Sequence, residues 1–238
     1  MTPFDYANPH RFLRLAARLS TPLWILTLAA LAVGLFMAFT APEDYRHGAT
    51  VRIMFVHVPS AWMALFAYSF IFVATLSALV FRHALGHVAA RAAAPVGAVF
   101  TLATLLTGAL WGRPMWGAWW VWDARLTSVL VLFFIYLGYM ALWRAIEDER
   151  AAARAAALLV LVGAVNLPIV KFSVDWWHTL HQPASISLLS GSALDEAFLY
   201  PLFVMGAAFA ALFAALTLTR MQSAIMERHA RLRQMREA

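Results

Sequence analysis

Six stretches of this chain are long and apolar enough to cross the hydrocarbon core of a bilayer: roughly 22–40, 53–81, 93–112, 125–146, 156–172 and 197–219. A crossing helix needs about 20 such residues. Lipid offers the backbone no hydrogen-bond partner, so each run must satisfy its own N–H and C=O groups by coiling. The fold class that follows is all-α: a polytopic integral membrane protein with six transmembrane helices. Composition agrees, since 63% of the residues are hydrophobic and only 13% charged, too apolar for a soluble domain. The run 156–172 is the shortest and contains Asn166 and Pro168. The first run follows Arg11, Arg14 and Arg18, as a signal peptide would, but it is too long and lacks a convincing small-x-small cleavage site, so a retained helix is expected. With no internal repeat, linker or low-complexity tract, residues 1–238 read as one membrane domain.

The connections set the orientation. Six crossings place the amino terminus, 82–92, 147–155 and the chain from Arg220 on one side, and with Arg144 that side carries thirteen of the eighteen Lys and Arg residues. Asp and Glu divide six and six, so the asymmetry lies in the cations alone. Cytoplasmic loops are the ones enriched in Lys and Arg, so both termini are expected in the cytoplasm. The tail 220–238 reads as a solvated or surface-lying basic helix. Arginines flanking apolar runs explain the net charge of +6, and nucleic acid is not an expected partner. The absence of cysteine excludes disulfides, thiolate metal sites and covalent haem attachment through C-x-x-C-H. No G-x-x-x-x-G-K-[ST] loop is present, so the chain is not expected to hydrolyse ATP.

Three unusual stretches then share the outer side: RIMFVHVPSAW (52–62), WGRPMWGAWWVWDARLTS (111–128) and FSVDWWHTLHQPAS (172–185). The second holds five of the ten tryptophans. An interfacial belt needs only one or two per helix end, so the 111–124 segment also reads as a surface for something flat and apolar. Span two is about 29 residues, longer than the core requires, which puts His57 in a projecting first turn at the outer rim, with Pro59 suited to the helix start. Four of the eight histidines lie outside: His47, His57, His178 and His181. Each alone is a polar group at a wet boundary. His57 and His181 come from different segments with tryptophans between them, and imidazole ligates haem iron while indole stacks on flat rings. His178 and His181, three apart, could share a helical face for zinc, but no third ligand has suitable spacing. Arg52 and Arg125 have two readings, interfacial snorkelling or a grip on carboxylates such as haem propionates. Asp123 either orients Arg125 or caps the fourth span. Phe100, Phe133 and Phe134 read as core or lipid-facing residues.

The run WGRPMWGAWWVWDARLTS closely resembles the tryptophan-rich WWD signature of haem-handling proteins in cytochrome c biogenesis. With RIMFVHVPSAW, WWHTLHQPAS, the length and the six runs, the chain is similar over essentially its whole extent to the haem exporter C (CcmC) family of bacterial cytochrome c maturation. The resemblance implies that haem b is presented at the periplasmic face of the inner membrane. His57 and His181 match the axial ligands, and Trp111, Trp116, Trp119, Trp120, Trp122 and Asp123 match the signature; His178 stands at a variable position of the motif. It implies delivery to a CcmE-type periplasmic haem chaperone. The implied partners are CcmA/CcmB-type ABC transporter subunits, which would hydrolyse the ATP, a CcmD-type small single-span subunit, and membrane lipid. The chain itself would be a haem-handling protein and no enzyme. A b-type cytochrome subunit for quinone-linked electron transfer is the alternative, but it calls for histidine pairs deep within spans, which these runs lack. A channel would need polar or small residues lining spans that are here mostly Leu, Ala, Val and Phe.

Overall fold

The computed structural model of the chain describes residues 8–181, 186–187, 191–192 and 194–237. Among them are the helices α1 (Pro9–Thr40), α2 (Met54–Val80), α3 (Gly86–Trp116), α4 (Ala124–Ala145), α5 (Glu149–Gly163), α6 (Asn166–Trp176) and α7 (Glu196–Glu237). A 3-10 turn, Ala49–Ile53, leads into α2, and a two-residue antiparallel pair, β1 (Ile186–Ser187) and β2 (Gly191–Ser192), precedes α7. Six segments are long and apolar enough to cross a membrane, because α5 and α6 together form one of them, Glu149–Trp176. The all-α, six-helix class expected from the apolar runs is therefore what the chain adopts. Gln182–Ser185, part of the third outer stretch, lie outside the described residues.

The helices outrun the apolar stretches because hydropathy marks only what suits lipid, whereas helical hydrogen bonding propagates into polar flanks. α1 starts at Asn8, whose side chain accepts from the His10 N–H at 2.9 Å, with Pro9 in the first turn, a favoured start. α3 runs on to Trp116, so Trp111 and Trp116 are helical. The fifth crossing breaks between Gly163 and Asn166. Pro168 lacks an N–H and its ring crowds the carbonyl four residues back, while Asn166 donates its side-chain amide to the Ser128 carbonyl at 2.9 Å and fastens the break to α4. The basic tail continues α7 as far as Glu237. Its first turns bury Met221 and Ile225, His229 stacks on His10 at 5.1 Å, and most of the rest is exposed.

α2 packs along α3, α1 along α7, and α4 links α3 to α5 and α6. α2 and α3 contribute small residues to the shared core, including Ala64, Ala67, Ala90, Ala93 and Ala94, and small residues let helices approach closely where lipid removes the hydrophobic incentive to associate. Tyr136 of α4 reaches into the α2–α3 seam and donates its hydroxyl to the Ala64 carbonyl at 2.8 Å. Tyr68 of α2 donates to the Val160 carbonyl at 3.1 Å and meets Tyr136 edge to face at 5.5 Å. The short turn between α2 and α3 makes them antiparallel, so the start of α2 meets the end of α3. The start of α4 and the end of α6 join them at that end of the bundle.

A Cβ on Gly97 would run into the Tyr136 ring, which is fully buried. Gly97→Ala is expected to destabilise the detergent-solubilised protein by about 1–3 kcal/mol through overpacking, and Tyr136→Phe by about 1 kcal/mol through the lost hydrogen bond. Thermal unfolding checks both, and an unchanged midpoint for Gly97→Ala would contradict this packing.

Candidate functional site

His57 is the fourth residue of α2, and it faces α3 rather than open water. Its Nδ1 lies 3.0 Å from the Thr107 hydroxyl oxygen. That hydroxyl has one proton and gives it to the Ala103 carbonyl at 2.6 Å, so toward the ring the oxygen can only accept. Assigned by this network, the proton of neutral His57 is on Nδ1 and the Nε2 lone pair is free. Gly108 supplies the space: a Cβ there would come within 3.1 Å of the His57 Cε1. One turn further along α3, Trp111 meets the His57 ring edge-on at 5.9 Å and the His47 ring at 5.8 Å. The sequence reading had Trp111 but missed Thr107 and Gly108. Their signal is helical spacing, since 107, 108 and 111 share one face of α3.

His181 follows the end of α6 in non-helical chain, its backbone N–H on the Thr179 hydroxyl at 3.2 Å. Its Nδ1 is 3.3 Å from Oδ2 of Asp123. The other carboxylate oxygen accepts the Leu126 N–H at 2.7 Å and caps α4. Asp123 thus does two jobs, capping a helix and fixing an imidazole. Among the described residues, neither Nε2 bonds to a side chain, and the Thr104 carbonyl also lies within reach of the His57 ring. Burial pushes His181 below the ordinary histidine value, and Asp123 opposes this by favouring the cation. Trp116 lies edge-on to His181 at 5.1 Å and folds over Gly112, where a Cβ would approach its ring to 3.1 Å. Gly112 is one helical turn from Gly108, about 6 Å along α3. His181 and Arg125 are both close enough to His57 to act on its charge.

The remaining expected site residues divide. Trp119 and Trp122 are 57% and 75% exposed, in the non-helical stretch after Gly117, which ends α3 with φ of 75°, a left-handed cap that favours glycine. Trp120 packs edge-on to Trp122 at 5.4 Å. The indole N–H groups of Trp111 and Trp120 are buried without a partner among the described residues. Arg52 sends Nε and Nη2 to the Ala41 carbonyl at 3.3 and 3.0 Å. Arg125 donates to the Ser173 hydroxyl at 3.1 Å and the Lys171 carbonyl at 3.3 Å. His178 is exposed. It shares no helical face with His181, because α6 ends at Trp176 and Trp177 is extended; no cluster of three or more metal-binding side chains occurs among the described residues.

Residues 3–236 match the family model CcmC, described as heme exporter protein C. The chain belongs to this family. It is 58% identical to heme exporter protein C of Bradyrhizobium diazoefficiens, over 100% of this chain and 90% of the relative. It is 46% identical to heme exporter protein C of Paracoccus denitrificans, over 96% of this chain and 95% of the relative. For heme exporter protein C of Escherichia coli K12 the identity is 45%, over 94% and 91%. The six apolar segments and the candidate site residues all lie within the matched residues.

Because burial dominates at His181, the folded chain is expected to protonate it below 6.5. The unfolded chain takes up that proton first, so stability falls as pH drops through the ordinary histidine range. NMR titration of 15N-histidine-labelled protein should show His181 as the Nδ1–H tautomer at neutral pH, and Asp123→Asn should lower its titration further by removing the group that favours the cation. Titration above 6.5 would contradict the geometry.

Proposed function

We propose that this member of the heme exporter protein C family binds haem b between His57 and His181 and passes it to a CcmE-type periplasmic chaperone during cytochrome c maturation. The chain is a multi-pass membrane protein, and its family membership makes it a haem-handling component for cytochrome c maturation. The observation that carries the finer reading is the state of the two imidazoles. Both have Nδ1 engaged by an oxygen, which leaves both Nε2 lone pairs for a metal. Two such donors saturate the axial positions of a haem and suppress oxygen chemistry at an exposed porphyrin.

The other residues fit the same cargo. Trp111 and Trp116 offer apolar faces beside the histidines, Trp120 packs on Trp122, and the exposed Trp119 and Trp122 suit contact with a porphyrin edge or with the chaperone. Arg52 and Arg125 spend their donors on neutral oxygens. A propionate is a stronger acceptor than any of these, so both can turn to it. The cation asymmetry supports an orientation with this end of the bundle at the periplasmic face of the inner membrane and both termini cytoplasmic. The chain positions haem and catalyses no reaction itself. Release of the loaded chaperone falls to CcmA/CcmB-type ABC subunits, with a CcmD-type single-span subunit alongside.

Two quantities test the proposal: haem co-purifying with the chain, and covalent haem on a co-expressed CcmE-type chaperone. His57→Ala and His181→Ala are expected to lower both. Arg52→Ala with Arg125→Ala should lower haem retention by about tenfold or more, as charge-assisted bonds are worth about 1.5–3 kcal/mol. Changing Trp116, Trp119 and Trp120 together to Leu should leave haem on this chain but little on the chaperone. Normal chaperone loading by the two histidine variants would overturn the proposal.

A further inference from the structure

The two imidazoles are not held alike. His57 Nδ1 faces the neutral Thr107 hydroxyl, whose own proton is committed to the Ala103 carbonyl. His181 Nδ1 faces the Asp123 carboxylate, which is 9% exposed and anchored by its cap on Leu126. A carboxylate accepting the Nδ1 proton raises the donor strength of the opposite nitrogen, and a hydroxyl without charge does so far less. The settings differ as well. His57 stands on a packed helix between Phe55, at 0% exposure, and the buried Pro59, and its Nδ1 finds only the neutral hydroxyl. His181 sits in non-helical chain beyond α6, where the anchored Asp123 carboxylate holds its ring in place.

We infer that His57 is the weaker axial ligand and the one released first when haem is handed on, with Thr107 as the positioning residue that sets this order. The inference rests on the two-histidine reading above. On release the bond between iron and His57 Nε2 opens, its electron pair stays on Nε2, and no electron leaves the iron. The vacated position passes to the incoming ligand. Thr107 holds the proton on Nδ1 throughout, so the freed Nε2 stays ready for the next haem.

Carbon monoxide is the probe, because on ferrous haem it displaces one histidine, and the iron–carbon stretch then reports the donor strength of the other. The protein is the detergent-purified chain loaded with haem b and reduced. Asp123→Asn, which keeps a good helix cap, is expected to raise that stretch by weakening His181. Thr107→Val, close to threonine in shape, should leave the stretch as in the parent. It should also raise carbon monoxide affinity about tenfold, the lower end for loss of an outer partner, and Thr107→Ser should restore the parent affinity. A shift with Thr107→Val but not Asp123→Asn would mean that His181 leaves, overturning the inference. So would a shift with both variants or with neither. If Thr107→Val fails to insert, Thr107→Ala is read the same way. The underlying reading fails separately, if the low-spin ferric spectrum survives in both His57→Ala and His181→Ala.

Discussion

The close approach of α2 and α3 is the constraint from which the site follows. The two helices pack closely and both bring alanines to the core, and their antiparallel course sets the first turn of α2 against the last turns of α3. That juxtaposition, and nothing local to residue 57, puts the His57 ring on Thr107 and over Gly108. Tyr136 pins the seam from the side through Ala64, so the geometry at the histidine is tied to packing much deeper in the bundle. In lipid such close, hydrogen-bonded contacts carry helix association, and here the same contacts set how the His57 ring is turned.

Asp123 plays the matching part on the other side. A helix start leaves several backbone N–H groups without partners, and one oxygen of this carboxylate takes one of them. The capping bond immobilises the side chain and aims its second oxygen at His181. The opening of α4 thereby becomes the support of a histidine that lies in non-helical chain. Trp116, folded over Gly112 and edge-on to His181, joins this half of the site to α3.

The six crossings were legible because lipid leaves the backbone one solution, and the tryptophan concentration was legible because it exceeds what an interface needs. Helix ends were less so. Hydropathy falls at Arg113 and Pro114, yet α3 continues to Trp116, so part of the tryptophan segment is helix. Thr107 was hidden because a lone hydroxyl in an apolar run bonds its own backbone without strain; only the pairing of α2 with α3 gives it a partner. The shared helical face of His178 and His181 was a reading of spacing alone, and α6 stops short of it. Asp123 was legible as a cap. Its bond to His181 spans 58 positions, and no local pattern encodes it.

The central claim is that one iron is held by Nε2 of His57 and Nε2 of His181. Pulsed electron paramagnetic resonance of the ferric, haem-loaded protein tests it most directly, with histidine labelled by 15N at Nε2. Two directly coordinated labelled nitrogens are expected in the parent protein and one in either His57→Ala or His181→Ala. Two coordinated histidine nitrogens persisting in the double variant would place the iron elsewhere and contradict the account.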